Sequence, residues 1–353
     1  MGLKMAARLR VLQAGVGVTI QDGGRYGYLR YGVTHAGPMD WAAFKTASLA
    51  LGNDDRAAAI EISVGGLHLL CEGAPLWAAY AGGDFSWRRD GEPLPNAARI
   101  RLEPGTALTA RAENSGAFSY LAVEGGLQTH PIMGSRATHM RSGIGGVEGR
   151  MLKSGDVLPA AANFQKSGER FEAVIDAPWL ARGTLPFRVV LGPQDDYFSS
   201  EALDVFFTSE FTLTATADRM AYRFDGPEIV SARGYDIVSD GVALGAIQIP
   251  GDKKPFVLMA DRQPTGGYPK FGVVARADIG RLAQMFPGEK CRFKMVSAKE
   301  ARSALLLIEE EVARTMSCLC PLRRKFTTKS LLETNLIDGV CDPPDGEPDA
   351  GRY

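Results

Sequence analysis

Cysteine and histidine are scarce in this chain, which limits the kinds of stabilising and catalytic centre it can build. There are 5 cysteines and 4 histidines among 353 residues. The cysteines are odd in number and scattered, a usage that argues against a disulfide framework and fits a reducing compartment. Cys318 and Cys320 lie close together, but no second pair or nearby histidine completes a tetrahedral zinc set. We therefore expect no metal centre.

Excess charge and long apolar runs are also absent. The formal net charge is −1, so the composition provides no electrostatic attraction for nucleic acid or an anionic membrane. No stretch approaches the ~20 consecutive apolar residues of a membrane-spanning helix, and residues 1–10 lack the apolar core of a secretory signal. We expect a cytoplasmic protein with no nucleic-acid or membrane partner, which leaves a small-molecule substrate open.

The chain also lacks a recognisable nucleotide-binding loop. A Walker loop ends in Gly-Lys-Ser/Thr, and that ending does not occur. The glycines between 134 and 149 do not form a Rossmann fingerprint, because no βαβ pattern surrounds them. The sequence provides no support for nucleotide binding by this chain alone.

Glycine and proline, by contrast, are frequent and cut the sequence into short segments. With 41 glycines and 20 prolines, the pattern of short β-type runs predicts a sandwich or barrel. The predicted strands include 59–63, 76–81, 108–112, 118–123, 188–191 and 211–215. Helical periodicity is confined to 39–51, 277–286 and 298–316. We expect a mainly β fold with a few covering helices.

A composition shift divides the chain. Residues 160–186 are rich in alanine and polar residues, and strand-like pattern resumes after them. At this length two domains with sizeable cores are expected. The predicted organisation is an N-terminal domain (1–165), a linker (166–186), a C-terminal domain (187–310) and a helical end with a flexible tail that starts at Ser317 (311–353).

The densest group of reactive side chains lies between residues 259 and 270. Apolar runs of strand type flank this segment, so its polar residues sit where two strands meet a glycine turn. Polar loop clusters of this kind often carry function. The alternative is an Asp-Arg ion pair that only pins a hairpin. The candidates are Asp261, Arg262, Gln263, Thr265, Gly266, Tyr268 and Lys270.

Three carboxylates near glycine turns in the N-terminal half are further candidates. Asp22 and Arg25 can pair across their turn, either as a structural ion pair or as ligand-binding groups. Asp40 is expected to cap the helix that follows it. Asp84 projects from a strand end, where a working carboxylate and a turn-stabilising one are equally compatible with the pattern.

A glycine-rich run at 134–150 carries three arginines, which suits the capture of a carboxylate or phosphate by guanidinium forks. Arg136 and Arg141 are the candidates in this run. Further along, Asp240 lies in a Ser-Asp turn, and Gln248 ends a strand that has the composition of a buried one. These two residues are candidates of the second rank.

Taken together, a series of short motifs resembles one family. Between about Val11 and Phe293, and in order, these are Gln21-Asp-Gly-Gly-Arg-Tyr-Gly, Ala36-Gly-Pro-Met-Asp, Glu61-Ile-Ser-Val-Gly-Gly, Ala81-Gly-Gly-Asp, Leu121-Ala-Val-Glu-Gly-Gly, Gly134-Ser-Arg, Gly192-Pro-Gln-Asp-Asp, Asp218-Arg-Met, Ser239-Asp-Gly, Gly245-Ala-Ile-Gln and Ala260-Asp-Arg-Gln-Pro-Thr-Gly-Gly-Tyr-Pro-Lys. The chain is similar to the biotin-dependent carboxyltransferase family, which includes the C subunit of bacterial 5-oxoprolinase, KipA and the carboxyltransferase region of urea carboxylase, also labelled allophanate hydrolase subunit 2. His35-Ala36 and Pro264 depart from the family pattern beside the expected site.

The resemblance implies two cyclophilin-like β-barrel domains and a role inside a larger complex. The implied partners are a KipI-type protein and a LamB/YcsF-type protein, which form the B and A subunits of that complex. The implied reaction uses ATP to open the small-molecule amide 5-oxoproline to glutamate, with ATP bound by or with the partner subunits. Two alternatives remain open: carboxyl transfer to urea or a related amide from carboxybiotin carried by another protein or domain, and a non-catalytic KipA-type regulator.

Roles follow from the chemistry that an amide carbonyl requires. Fixed donors must face the developing oxyanion, and we assign this to Lys270, Arg262 and Gln263. Asp240 or Asp261 is expected to orient a cation or accept a proton. The expected substrate-binding residues are Arg136 or Arg141 for a carboxylate, Tyr268 for the shape of the pocket, and Gln248, Asp84, Asp22, Arg25, Thr265 and Gly266.

Overall fold

Strands dominate the backbone of the computed structural model, which describes residues 6–161, 170–181, 183 and 185–322. Four α-helices occur in these ranges: α1 (Trp41–Leu49), α2 (Ser200–Thr208), α3 (Arg276–Ala283) and α4 (Ala298–Ala313). Short 3-10 helices span Leu29–Tyr31, Met140–Ser142, Pro178–Leu180, Asp195–Tyr197 and Thr315–Cys318. The predicted mainly β fold is confirmed.

The strands follow in chain order. The first twelve are β1 (Arg8–Ala14), β2 (Thr19–Gln21), β3 (Ala59–Ser63), β4 (Leu67–Glu72), β5 (Leu76–Gly82), β6 (Phe85–Arg89), β7 (Glu92–Leu94), β8 (Ala98–Leu102), β9 (Ala107–Ala112), β10 (Phe118–Val123), β11 (Val157–Pro159) and β12 (Ala173–Ile175). The remainder are β13 (Phe187–Leu191), β14 (Phe211–Ala217), β15 (Ala221–Asp225), β16 (Asp240–Gly241), β17 (Ala246–Gln248), β18 (Phe256–Leu258), β19 (Thr265–Gly266), β20 (Lys270–Val274), β21 (Lys290–Cys291), β22 (Phe293–Met295) and β23 (Leu319–Pro321).

Two sheets pack on each other in the N-terminal half. One has the order β11-β1-β4-β9-β6-β7, and the other β2-β3-β10-β5-β8-β12-β23. Strand β4 alternates buried and half-buried residues, as expected of a strand with one face in a core. Strand β10 is buried throughout. Its Leu121 and Val123 enter the core between the two sheets, whereas Tyr120 and Ala122 face a second core beneath α1.

An eight-stranded sheet forms the C-terminal half, in the order β21-β14-β15-β18-β17-β20-β13-β22. Strands β13 and β22 pair in parallel, and the other recorded pairs in this sheet are antiparallel. Helix α2 covers the sheet and buries Phe206 against it, with ring centroids 4.4 Å from Phe271 and 4.9 Å from Phe293. Offset and tilted ring pairs of this kind add to the burial of apolar area.

The second core crosses the predicted linker. It contains Phe44 and Tyr120 from the N-terminal half together with Phe206 and Ile279 from the C-terminal half. The chain therefore buries apolar side chains between its halves. The boundaries of the two domains at 165 and 187 stay a prediction.

The predicted elements are found with small differences at their ends. Strands occur at all six predicted segments, and the three helices are shorter than expected. The prediction of helix over 277–286 was too long, because the helix ends at Ala283, shortly before Pro287 and Gly288. The residue before a proline is disfavoured in a helix. The helix predicted over 298–316 ends at Ala313 and continues as a 3-10 turn.

The beginning of the expected flexible tail is ordered instead. Strand β23 pairs antiparallel with β12, so that Val174 faces Cys320 at the edge of the sheet. The chain therefore returns to the N-terminal half after α4. The rest of the expected tail, from residue 323 onward, lies outside the described residues.

Two further observations bear on the sequence expectations. Cys71, Cys291, Cys318 and Cys320 are free thiols. Within the described ranges, no helix is both long enough and apolar enough to pass through a membrane.

We predict that replacing Phe206 with alanine removes the centre of the aromatic cluster. The free energy of unfolding should fall by about 3–5 kcal/mol, because the cavity cannot collapse between the neighbouring rings. Leu307→Ala, on the exposed side of α4, is the control and should change it by less than about 0.5 kcal/mol. Denaturant unfolding of the full chain measures both. Equal losses in the two variants would contradict the packing described here.

Candidate functional site

A buried arginine joins two carboxylates that come from distant parts of the chain. Arg219 lies in the turn between β14 and β15, where Asp218 Oδ1 accepts hydrogen bonds from Met220 N (2.7 Å) and Ala221 N (3.0 Å). This Asx-type turn directs Arg219 inward. Its Nε and Nη2 donate to Asp261 Oδ2 (2.9 Å) and Oδ1 (2.8 Å), and its Nη1 donates to Glu61 Oε1. Burial lowers the pKa of Arg219, but the two carboxylates outweigh burial and raise it above its usual range.

Glu61 continues the network into the N-terminal half. This fully buried carboxylate accepts hydrogen bonds at Oε2 from Met39 N (2.9 Å) and from the Tyr120 hydroxyl (2.7 Å). The same hydroxyl accepts from Asp40 N at 2.8 Å. Every oxygen of Glu61 is therefore used, which is what a buried charge requires. Burial and the neighbouring Glu61 charge raise the pKa of Tyr120 well above its usual range.

Asp40 caps α1, as predicted. Its Oδ1 accepts from Ala42 N and Ala43 N, both at 3.1 Å, while its Oδ2 accepts from Gln284 Nε2 at 2.9 Å. Burial raises the pKa of this carboxyl. A Cβ at Gly280 of α3 would lie 2.5 Å from Asp40 Oδ1, so the approach of α3 to the cap requires glycine at this position. Through Gln284, the network that begins at Arg219 reaches α3.

The segment 259–270 does not contain the Asp-Arg pair that we considered from sequence. Asp261 binds Arg219, and Arg262 makes no ion pair with it or with any other carboxylate among the described residues. Arg262 is 4% exposed and donates Nε to Val242 O at 3.1 Å. Burial, with a contribution from Arg276, lowers the pKa of Arg262 to about 10.

Lys270 and Gln248 form a polar cluster in the C-terminal sheet. The two residues face each other in the β17–β20 pairing. Lys270 is 4% exposed, and its Nζ lies 2.9 Å from Asp240 Oδ2, an ion pair with an exposed carboxylate. Gln248 Nε2 is buried and finds no hydrogen-bond partner in the described chain. The Lys270 ammonium lowers the pKa of the exposed Asp240 carboxyl.

The short β16–β19 pairing closes this cluster. It places Asp240 opposite Gly266 and Gly241 opposite Thr265. A Cβ on Gly266 would lie 2.6 Å from Gln248 Nε2, so glycine allows the amide to occupy this place. Four predicted residues, Lys270, Asp240, Gln248 and Gly266, are thereby brought together. Val242, which lies beside Gly266, binds Arg262 and connects it to the cluster.

The predicted residues of the N-terminal turn organise a loop. Asp22 accepts from Ser135 Oγ and Arg136 N, each at 2.6 Å. Arg25 donates Nε to Ile132 O (3.1 Å) and Nη2 to Ala137 O (2.9 Å). Asp22 and Arg25 form no ion pair within 4 Å, contrary to the pairing we considered; both bind the loop at 132–137 instead. The Arg136 side chain donates to Thr129 O at 2.9 Å.

The other predicted residues are more scattered. Arg141 is exposed and donates to Met220 Sδ at 3.3 Å, and Tyr268 is 43% exposed. Gln263 Oε1 is buried without a partner among the described residues. Asp84 lines an open cleft of about 740 Å³ whose other walls include Arg281 and Glu289. No other predicted site residue lines this cleft.

Sequence reasoning did not assign functional roles to several residues that surround the site. Arg219 and Glu61 stand in quoted motifs, but nothing local shows that they meet. Arg276 opens α3, with its guanidinium 5.9 Å from the ring centroid of Trp41. The rings of Tyr26 and His35 lie 4.5 Å apart. Burial, followed by the charges of Arg262 and Arg276, lowers the pKa of His35. No group of three side chains suited to a metal ion occurs within the described ranges.

We predict that Arg219→Met destabilises the protein by about 3–5 kcal/mol, because it leaves two buried carboxylates without their cation. The control is Arg223→Met. Arg223 forms a half-exposed pair with Asp252 at 2.7 Å, and its loss should cost about 0–1 kcal/mol. Thermal and urea unfolding of the full chain measure both variants. A loss for Arg219→Met no larger than that of the control would show that the buried network is not a major source of stability.

Comparison with known proteins agrees with the motif-based resemblance. The chain is 36% identical to the C subunit of 5-oxoprolinase from Escherichia coli over 296 residues, which cover 84% of this chain and 94% of that protein. It is 30% identical to urea amidolyase of Saccharomyces cerevisiae, over 84% of this chain but 17% of that protein. The crystal structure of the K. lactis urea amidolyase superposes with a TM-score of 0.81 at 26% identity. That superposition covers 91% of this chain and 21% of the amidolyase.

The match to a protein family is equally extensive. Residues 31–295 match the family described as carboxyltransferase domain, subdomain A and B. This range contains Glu61, Arg219 and the whole segment 259–270, so the buried network and the Lys270 cluster both lie inside it. The chain belongs to this carboxyltransferase-domain family.

Proposed function

We propose that the chain is the C subunit of an ATP-dependent 5-oxoprolinase, which opens 5-oxoproline to L-glutamate. Two relatives that bear the name of this 5-oxoprolinase subunit are matched over 94% and 89% of their own lengths, which supports carrying the function across. The observation that carries the proposal is the pair of buried donors on paired strands, of which Gln248 Nε2 has no hydrogen-bond partner in the described chain and Lys270 Nζ has only the exposed Asp240 carboxylate beside it.

These donors suit the difficult step of the reaction. A lactam carbonyl is a weak electrophile, and its oxygen gains negative charge as the carbon is attacked. A buried ammonium and a buried amide N–H stabilise that charge more strongly than water-exposed groups do. Because Lys270 and Gln248 are fixed by β-sheet pairing, little reorganisation is needed when the charge develops. ATP bound with the partner subunits would transfer its terminal phosphoryl group to the lactam oxygen and leave as ADP. Water would then attack the activated carbon, and phosphate would depart as the C–N bond breaks and its nitrogen takes up a proton.

The remaining candidates take supporting roles in this proposal. Asp240, exposed at the edge of the cluster, orients the Lys270 side chain and accepts the proton of the water that attacks the carbonyl carbon. Asp261 is committed to Arg219 and therefore acts as a positioning residue for the adjacent Arg262 and Gln263. Tyr268 and Thr265 shape the exposed side. Arg136 and Arg141 remain proposed ligands for the substrate carboxylate once the partner subunits close the site.

The proposal includes two partners, a KipI-type protein and a LamB/YcsF-type protein, and a reaction in the cytoplasm, where ATP is available. The chain supplies half of a composite site. This accounts for donor groups that are prepared for a ligand although the sequence contains no Walker loop.

A second candidate function is carboxyl transfer from carboxybiotin to urea or a related amide. The structure of the K. lactis urea carboxylase supports this second candidate. It superposes with a TM-score of 0.81 over 92% of this chain and 30% of that one. The same two donors would then face the carbonyl of the acceptor. This function requires a biotin carboxylase and a biotin carrier from other proteins, and its product is a carboxylated amide instead of glutamate.

The test is reconstitution of the three-protein complex and measurement of ATP-dependent glutamate release from 5-oxoproline, with each partner omitted in turn. We expect release only when all three are present. Lys270→Met should lower kcat by about 100-fold or more, because it removes one donor to the oxyanion. Release that persists without this chain, or full activity of Lys270→Met, would contradict the assignment.

A matched control separates the local charge from general effects of losing a lysine. Lys253 is exposed and pairs with Glu228 at 2.7 Å, outside the cluster. Lys253→Met should retain the activity of the unmodified complex. If the intact complex releases no glutamate but carboxylates urea when biotin carboxylase and carrier are added, the second function replaces the first.

A further inference from the structure

Arg262, which is buried, and Arg276, which is half-buried, have no carboxylate partner among the described residues. Arg262 makes a single side-chain hydrogen bond, from Nε to Val242 O, so both of its terminal amino groups lack an acceptor among the described residues. The Arg276 side chain makes no hydrogen bond or ion pair within the described ranges, and its charge contacts the ring of Trp41. By contrast, the buried Arg219 is fully paired. Burying a cation without a counter-charge costs free energy unless a bound ligand supplies the opposite charge.

One loop, residues 35–41, has contacts toward both arginines. Near its beginning, Gly37 O accepts from Arg219 Nη2 at 2.8 Å, and Arg219 holds Asp261, the neighbour of Arg262. At its end, the indole N–H of Trp41 donates to Arg276 O at 3.3 Å. The first residue of the loop, His35, packs its ring against that of Tyr26. Besides burial, the charges of Arg262 and Arg276 both lower the pKa of His35, so this ring pair lies within electrostatic range of the two guanidinium groups.

The carboxylates near this place are committed elsewhere. Asp261 is held by Arg219, and Asp40 by the α1 cap and Gln284. Glu309 of α4 acts on Arg276 from a greater distance and forms no ion pair with it. The positive charge of the two arginines is therefore not neutralised by contact with the described chain.

The two arginines also repel each other, which adds to the cost of their uncompensated positive charge. Arg276 helps to lower the pKa of Arg262, as expected of two like charges in a buried setting. Burial and the two arginines also lower the pKa of His35, so its ring is neutral near pH 7. Two positive charges remain for a ligand to neutralise.

We propose that Arg262 and Arg276 bind a phosphoryl dianion, with the paired rings of Tyr26 and His35 against the group that carries it. Guanidinium forks match the spacing of phosphate oxygens, and two of them balance two negative charges. A substrate carboxylate carries one charge and would leave one cation unpaired. The choice of a phosphoryl group over another dianion rests on the proposed function, in which ATP activates the lactam. The Lys270 cluster then holds the carbonyl, and this pair of arginines holds the phosphoryl group.

Calorimetric titration of the full chain with inorganic phosphate, sulfate and acetate tests the charge requirement. Phosphate should bind, sulfate should compete with it, and acetate should bind at least about 10-fold more weakly. Arg262→Gln and Arg276→Gln should each weaken phosphate binding by about 10-fold or more, since each removes charge-assisted hydrogen bonds. Arg223→Gln, which removes an exposed arginine paired with Asp252, is the control and should leave binding unchanged. Equal binding of acetate and phosphate, or unchanged binding in both glutamine variants, overturns the proposal.

A second measurement needs no variant to fold. Phenylglyoxal modifies unpaired arginines, and mass spectrometry of the digested chain locates the modified positions. Phosphate should protect Arg262 and Arg276 and leave the modification of Arg302, an exposed arginine on α4, unchanged. Protection of neither residue, or equal protection by acetate, overturns the proposal. Both measurements are independent of glutamate release. Phosphate binding in a complex that fails to release glutamate would contradict the proposed function. Glutamate release without phosphate binding would contradict only the proposed phosphoryl site.

ATP and 5-oxoproline then identify the source of the phosphoryl group. In the assembled complex, protection of both arginines by ATP alone would assign the site to the nucleotide. Protection that requires ATP and 5-oxoproline together would assign it to a phosphorylated form of the substrate. Either result supports the proposal, and absence of protection under both conditions contradicts it.

Discussion

The buried charge of Arg219 is the constraint around which the site is arranged. A guanidinium inside a protein is tolerated only when its donors are used and its charge is neutralised. Glu61 from β3 and Asp261 from the turn after β18 meet both conditions, and Gly37 O accepts a further hydrogen bond. Because each of these groups belongs to a different segment, satisfying one side chain fixes three segments relative to one another.

The same arrangement divides the cations near the site into two classes. Arg219 is paired and therefore structural, and by occupying Asp261 it leaves the adjacent Arg262 without a carboxylate. Lys270 likewise has only the exposed carboxylate of Asp240 within ion-pair distance among the described residues. Cations of the second class are stable at these positions because the surrounding sheet pairing and the Arg219 network hold the backbone in place. Electrostatic complementarity with a ligand is thus prepared before the ligand arrives.

Much of the fold, and part of the site, could be predicted from sequence because the relevant signals are local. The alternation of apolar residues predicted the strands, and the position of Asp40 before an apolar helical run predicted that it caps α1. The clustering of Lys270, Asp240 and Gln248 was not local: it depends on the register of β17 with β20 and of β16 with β19. Glu61 and Arg219 are 158 residues apart, so no spacing rule could pair them. Arg276, at the first turn of a helix, has the sequence appearance of an ordinary surface residue.

Buried polar atoms without partners are the remaining evidence for where the ligand lies. Native proteins satisfy nearly all such atoms, because each one left unpaired costs about 1–3 kcal/mol. Gln248 Nε2 and Gln263 Oε1 lack a hydrogen-bond partner in the described chain, and Lys270 Nζ, from the same stretch of the C-terminal half, has only the exposed Asp240 carboxylate beside it. The unpaired amino groups of Arg262 lie beside them through Val242. A protein stabilised elsewhere by its apolar core can tolerate the free-energy cost of these unpaired atoms. A ligand that supplies the missing hydrogen-bond partners removes this cost, and its binding is favoured by the same amount.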